Sequence, residues 1–318
     1  MINLRYHVVS LTAVFLALAI GVAMGTGFLN KATVDQLRTQ ISKAEGGIKA
    51  TNEKNAELQD EVDRGDSAEQ ALFASASRVV GDRLTDVPVL VIANENIDGD
   101  SLDRLRQLLV AAGADLRGTL TITDRLRLDA GDDDQLAELL GTTGQSRPVL
   151  QSALTTAVAT DLRKAADRAV TSEAGSPELV QKLLEAKYLG YEAADGGGDA
   201  STVLAGGGYR YVFVSGPDPR TPDLDFLVPV LSAMAKAGPT RSVLVSAAVG
   251  DQAEETRTAA VGAVRNATDL RDEISTVDDL ETVNGLLATV YAVADADAGT
   301  YGHYGLGSGS EAPLPGAS

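Results

Sequence analysis

Residues Val8 to Leu29 read VVSLTAVFLALAIGVAMGTGFL and carry no charged side chain over 22 positions. At about 1.5 Å per residue, a helix of this length spans roughly 30 Å, the thickness of the hydrocarbon core of a bilayer. A surface helix of a soluble protein has a charged or polar face, whereas the polar side chains here are Ser10, Thr12 and Thr26. The sequence therefore predicts a cytoplasmic tip and a transmembrane helix within residues 1–30.

This stretch is also compatible with a cleaved signal peptide, because Ala23-Met24-Gly25 has the small-x-small pattern of a cleavage site. The apolar run is longer than the 7 to 15 residues usual in signal peptides, which favours an uncleaved anchor. The few residues before it favour a single-pass protein of the cell membrane with its bulk extracytoplasmic. Lys31, Arg38 and Lys43 follow the helix, and this basic excess opposes that orientation.

Two glycines of the apolar stretch, Gly21 and Gly25, have the small-xxx-small spacing that lets two membrane helices approach closely. This spacing predicts helix packing within the membrane and agrees with a dimer. The alternative is that these glycines reflect only the high frequency of glycine in membrane helices.

The composition excludes several classes of protein. The chain has 318 residues, 44% of them hydrophobic, which allows a sizeable core, and its net charge of -18 argues against nucleic-acid binding. It has no cysteine, two histidines and three methionines, so disulfides, thiolate zinc sites and a catalytic thiol are excluded. The sequence predicts no cofactor and no metal site.

A heptad pattern follows the apolar stretch, with apolar residues alternating in steps of three and four from Val34 to Val79. Branched residues at the a positions and leucines at d favour a parallel two-stranded coiled coil, and an asparagine at a fixes its register. We therefore predict a homodimeric coiled coil over residues 31–83. Its dimer seam comprises Val34, Leu37, Ile41, Ile48, Asn55, Leu58, Val62 and Leu72.

The seam is imperfect, because Thr51, Gly65 and Glu69 occupy core positions. The flanking residues Glu61 and Asp66 do not form attractive pairs between chains. The helix is therefore expected to be partly open or to accept a second partner, and the alternative is that it folds back on the globular domain.

Beyond the coiled coil, the hydrophobic period changes and predicts an α/β domain over residues 84–297. Strands are predicted at 87–93, 115–122, 210–215, 242–249 and near Ile274, with helices between them, including helical structure over 152–194. Asp278 and Glu281 have the spacing of a capping box at the start of the last helix. Alternating strands and helices imply a mainly parallel sheet. The Gly, Ser and Pro composition of residues 298–318 predicts a disordered tail.

Catalytic motifs are missing from the sequence: there is no GxxxxGK[ST], no GxSxG and no HExxH. His7 lies beside the membrane and His303 in the predicted tail, so no histidine is expected in the core, and we predict that the chain is not an enzyme. Asp132-Asp133-Asp134, or Asp295 with Asp297, could hold a hard cation, but a solvated acidic loop explains them better. A pocket at the strand ends, if present, would involve Asn94, Glu95, Asn96, Ser215, Gly216, Asp218 and Asp251.

Three segments carry a resemblance to a known family: INLRYHVVSLTAVFLALAIGVAMGTGF at 2–28, ISTVDDLETVNGLLATVYAV at 274–293 and the closing GHYG at 302–305. With the heptad helix and the α/β region between them, the chain resembles the actinobacterial copper transport protein B (MctB) family over nearly its full length. The resemblance implies a role in copper homeostasis or efflux. It also implies a role in cell separation, because related corynebacterial members, called SteB, are implicated in that process through a peptidoglycan hydrolase and a membrane partner protein.

Two functions are therefore carried forward, together with a small-molecule-binding α/β domain or enzyme as a third. The first is a membrane-anchored, non-catalytic, homodimeric protein in copper homeostasis, with any copper association implied by the resemblance alone. The second is a coiled-coil scaffold or activator of a peptidoglycan hydrolase.

Overall fold

The computed structural model describes residues 4–27, 31–127, 132–169, 178–195, 198–216, 223–247 and 259–316. The chain divides into two compact units, Met1–Ala68 and Glu69–Ser318. The division lies inside a long helix, ahead of residue 84, where the sequence places the start of the α/β domain. The last turns of that helix therefore belong to the α/β unit.

Helix α1, Leu4–Gly27, contains the apolar stretch from Val8 as far as Gly27. Its segment Arg5–Gly25 has a mean hydropathy of 2.3, and among the described residues it is the one helix long and apolar enough to cross a membrane. The described side chains of this segment are exposed in the isolated chain, as expected for a helix whose apolar surface faces lipid.

Helix α2, Lys31–Val80, runs for 50 residues without a break. It passes through Gly46, Gly47 and Gly65, although each glycine costs about 1 kcal/mol relative to alanine in a helix interior. The helix itself is therefore confirmed from Lys31 to Val80, and the coiled coil predicted over residues 31–83 stays a prediction.

A sheet of seven strands forms the centre of the α/β unit within the described residues. The strands are β1 Pro88–Asn94, β2 Asp115–Ile122, β3 Leu189–Ala193, β4 Arg210–Ser215, β5 Ser242–Ser246, β6 Ser275–Val277 and β7 His303–Tyr304. Their order is β3-β2-β1-β4-β5-β6-β7, and β3 alone runs antiparallel to its neighbour. The predicted α/β class with a mainly parallel sheet is confirmed.

Helices cover both faces of this sheet. They are α3 Gly99–Ala111, α4 Asp132–Leu139, α5 Arg147–Asp167, α6 Glu178–Glu185, α7 Ala200–Ala205, α8 Val228–Lys236, α9 Ala259–Asn266 and α10 Val283–Asp297. Strand side chains alternate between two cores: Leu90 and Ile92 face helices α4 to α9, while Val89 and Val91 face α3 and α10. Burial on both faces explains why the central strands are continuous apolar runs.

The C-terminal end of α2 packs into the second of these cores. Ala76, Val80 and the following Leu84 are buried there, and Phe73 packs against them. The Phe73 ring also lies 5.8 Å from the guanidinium of Arg104 on α3. The interpretation of α2 as folded back on the globular domain therefore holds for these last turns.

The prediction of helical structure over residues 152–194 is wrong at its end. The described part contains α5 and α6, but Leu189–Ala193 forms the antiparallel edge strand β3, which pairs with β2. An edge strand of five residues that is partly exposed lacks the apolar run by which the central strands are recognised.

The predictions for the end of the chain are also wrong in two places. The last helix has Thr282 as its N-cap rather than Asp278, because Asp279 adopts a φ of 57°, which no helix residue has. The predicted disordered tail instead supplies β7, which pairs in parallel with β6. His303 is therefore buried in the fold and does not lie in a solvated tail.

Candidate functional site

The strand ends that the sequence singles out lie at the point where the strand order reverses, between β1 and β4. Asn94 ends β1, Ser215 ends β4, and both side chains are buried. Asn94 donates from Nδ2 to a carboxylate oxygen of Asp223, which is also buried. In doubly wound sheets this position is where ligands bind. Asp218 and Asp251 lie outside the described residues.

The described side chains at this edge are used to hold loops. Ser215 donates from Oγ to the carbonyl oxygen of Val245 (3.2 Å), and Glu95 accepts from the backbone N–H of Asp124 (3.0 Å). A Cβ at Gly216 would lie 2.8 Å from Ile97 Cδ1, so the Ile97 side chain fills the space above β4. Among the described side chains named here, Asn94 Oδ1 is buried and has no hydrogen-bond partner. Each of these described side chains is therefore occupied by a structural contact.

The most strongly connected polar cluster lies at the end of β6 and was not foreseen from the sequence. Arg265, at the end of α9, pairs with Asp278 (Nη1 to Oδ2, 2.9 Å), and both side chains are almost fully buried. The guanidinium also donates to the carbonyl oxygens of Tyr304 (2.8 Å) and Ser308 (2.9 Å). A buried ion pair of this kind is tolerated because further hydrogen bonds satisfy its remaining atoms.

Asp278 completes the attachment of the C-terminal segment. Its Oδ1 accepts from the backbone N–H groups of Leu306 (2.7 Å) and Gly307 (3.2 Å). Gly305 has a φ of 124°, and a Cβ at this position would lie 1.8 Å from Asp278 Oδ1, so no other residue fits there. The Asp278 carboxylate therefore holds the GHYG segment in place. The sequence pattern had instead predicted that Asp278 caps the last helix.

Two adjacent carboxylates share this site, and their pKa values move apart. Burial and the neighbouring Asp278 raise the pKa of Asp279 to about 6. Burial opposes ionisation of Asp278 as well, but hydrogen bonds with Asp279 and Arg265 hold its pKa below the ordinary value. Asp278 is therefore the ionised partner of Arg265, and Asp279 takes up a proton in mildly acidic solution.

His303 is neutral in this cluster. Thr276 Oγ1 accepts from Arg265 Nε (2.9 Å), and it lies 2.8 Å from His303 Nδ1. The Thr276 hydroxyl can accept a second hydrogen bond or donate its own hydrogen, so the donor of the contact with Nδ1 depends on the imidazole tautomer. Burial lowers the pKa of His303, in agreement with the neutral form. No group of three His, Cys, Asp or Glu side chains that could hold a metal ion occurs in the described part of the chain.

The predicted dimer seam lies on an open surface of α2. Leu37, Ile41, Ile48, Leu58, Val62 and Leu72 are each 49–62% exposed, and Val34 is partly exposed. Asn55, at the centre of the seam, is also exposed. A Cβ at Gly21 or Gly25 of α1 would meet no atom within 4 Å, so that face of α1 is open too. The seam and the glycine contact stay predictions, because a single chain shows no partner.

Comparison with known proteins finds similarity over the whole chain. A family model described as "Copper transport outer membrane protein, MctB" matches residues 1–315. The proteins called "Copper transporter MctB" from Mycobacterium tuberculosis and Mycobacterium bovis are each 27% identical to this chain, over 98% of both chains. The protein of the same name from Mycobacterium leprae is 28% identical over the same share.

Proposed function

This chain belongs to the MctB family, and from this premise we propose that it is a membrane-anchored, non-catalytic, extracytoplasmic protein that contributes to copper homeostasis or efflux as a parallel homodimer. Helix α1 is the proposed anchor, because its apolar segment matches the bilayer in length. The α/β unit supports a binding or scaffolding role, since the described polar side chains at its strand ends already hold loops.

The observation that carries the proposal is the apolar stripe of α2. Five large apolar side chains, Leu37, Ile41, Ile48, Leu58 and Val62, repeat at heptad spacing and stay about half exposed. Exposed apolar stripes of this length mark contact surfaces. A second copy is the occupant that fits, because β-branched residues at a with leucine at d favour two parallel strands and the anchors bring copies together in one membrane.

The proposed copper role is supported by the names of the family and of its relatives. The chain offers few soft ligands, with no cysteine, two histidines and three methionines. His303 is buried, and its Nδ1 already forms a hydrogen bond with Thr276 Oγ1. A single membrane-spanning helix, the one found among the described residues, cannot enclose a copper path by itself. We therefore expect copper movement to depend on an assembly of several chains or on a partner protein.

The test is complementation of a strain that lacks the protein, with copper tolerance and cell separation as readouts. The wild-type chain should restore copper tolerance, and Ile41→Asp/Ile48→Asp, which charges the stripe, should not. Thr39→Asp/Gly46→Asp adds the same charge to the opposite side of α2 and serves as the matched control. Copper tolerance that does not change on deletion would refute the copper role.

A second function is favoured by the polar positions within the stripe. Thr51, Asn55 and Gly65 weaken a homodimer seam and leave room for an exchange of partners. This supports a coiled-coil scaffold or activator of a peptidoglycan hydrolase in cell separation. Chained cells with unaltered copper tolerance in the deletion strain would select this function over the first.

A further inference from the structure

The last heptads of α2, from Glu69 onward, already pack against the α/β unit of the same chain. Glu69 and Ala76 occupy a positions of the heptad pattern. Glu69 Oε1 accepts from the backbone N–H of Val283 at the start of α10 (2.8 Å), and Ala76 is 2% exposed in the core of the α/β unit. The a row beyond Val62 is therefore covered by the chain's own domain.

The residues at the d positions of the same helical turns are exposed. Leu72 and Val79 are 57% and 58% exposed, while Phe73 and Val80, one residue further on, pack into the core. In a two-stranded coiled coil a partner helix covers the a and d rows together. The partner helix and the α/β unit would therefore compete for one face of α2 at these turns.

The heptad just before these turns also disfavours a partner. Gly65 stands at a d position, so this layer of the seam has no side chain. No other atom of the chain fills the space, because a Cβ at Gly65 would meet no atom within 4 Å. In a parallel dimer Glu61 at g faces Asp66 at e of the other chain, and the two pairs repel one another. The loss of packing and the repulsion fall at the same point along the helix.

We propose that the two α2 helices contact one another from Val34 to Val62 and separate beyond Val62, where each helix becomes part of its own α/β unit. This inference rests on the dimer of the proposed function and defines its limit. Leu72, which the heptad pattern includes in the seam, then lies outside the interface. The helix changes partner within one continuous element, from a second chain to its own domain.

The absence of native cysteine makes disulfide cross-linking a direct test. Four single variants of the full chain, Leu37→Cys, Leu58→Cys, Leu72→Cys and Val79→Cys, place a thiol at the same d position of different heptads. Facing d positions come close enough in a parallel coil for a disulfide, which needs Cβ atoms about 4 Å apart. Thr39→Cys, on the opposite side of the helix, is the control for random collision.

After mild oxidation in native membranes, Leu37→Cys and Leu58→Cys should form covalent dimers, at least about tenfold more than Thr39→Cys. Leu72→Cys and Val79→Cys should stay at the level of Thr39→Cys while reacting fully with a maleimide, which shows that their thiols are accessible. Cross-linking of Leu72→Cys and Val79→Cys as efficient as that of Leu58→Cys would overturn the inference and keep the dimer. No cross-linking at Leu37→Cys and Leu58→Cys would overturn the dimer, and the inference with it.

Discussion

Asp279 is held in an environment that disfavours its charge. Its carboxyl group is partly buried beside the ionised Asp278, it lies near Glu281, and Arg265 is committed to Asp278. When Asp279 is ionised, two carboxylates face one guanidinium. When it is protonated, it can donate to Asp278, which replaces repulsion by a hydrogen bond.

The replacement Asp279→Asn tests this arrangement through the pH dependence of stability. Because the pKa is raised from 3.8 to about 6 on folding, the stabilising contribution is fully present below pH 3.8 and is lost as the pH rises through 6. As the pH rises from 4 to 7.5, the free energy of unfolding of the variant, measured in urea, should increase by about 1 to 2 kcal/mol relative to that of wild type. This is less than the full pKa shift corresponds to, because solvent screens the partly exposed carboxyl group.

The control for this measurement is Asp272→Asn, since Asp272 is exposed.

The buried, neutral His303 changes the pH dependence of stability in the opposite direction, because its lowered pKa costs stability as the pH falls below 6.5. This effect is common to all variants and cancels in their difference. Identical pH profiles for wild type and Asp279→Asn would contradict the account of the cluster.

The cluster around Arg265 and Asp278 could not be predicted from the sequence. Asp278 and Glu281 have the spacing of a capping box, and the pattern does not reveal that Arg265 and Gly305 come to the same carboxylate. The attachment of residues 302–308 depends on contacts between segments distant in sequence, whereas the composition of the segment alone indicates disorder.

At the scale of the elements, the last turns of α2 pack into the α/β unit, while the apolar stripe from Leu37 to Val62 is exposed. The helix itself and strands β1, β2, β4, β5 and β6 were predictable, because each has a clear apolar period or an apolar run. Strands β3 and β7 were not, because an exposed edge and a two-residue strand are set by their neighbours in the sheet. The division of α2 between two surroundings was also hidden, since one unbroken heptad pattern runs through both.

The packing of the end of α2 predicts unequal effects of the same substitution on neighbouring turns. Ala76→Asp places a carboxylate in the α/β core and should destabilise that unit by several kcal/mol, seen as a large loss in Tm. Leu72→Asp adds the same charge at an exposed site of the same helix and should change the Tm little. Equal losses for the two variants would show that these turns do not pack as described.

The whole molecule consists of an apolar helix, a long helix with an exposed apolar stripe, and an α/β unit whose described polar side chains at the strand ends hold loops. The proposed function assigns anchoring to the apolar helix and association to the exposed stripe of α2. The sequence predicted an apolar helix, a heptad helix and an α/β region in this order. The packing of the end of α2 with the α/β unit was hidden, because these turns carry heptad spacing and core packing together.

The most direct test of the account is the mass of the full chain in detergent, measured by sedimentation velocity. We predict a species of twice 32.9 kDa for wild type and for Thr39→Asp/Gly46→Asp, and a single chain for Ile41→Asp/Ile48→Asp. A wild-type chain that sediments as a monomer at high concentration, or a dimer that survives the charged stripe, would contradict the claim that α2 pairs two copies.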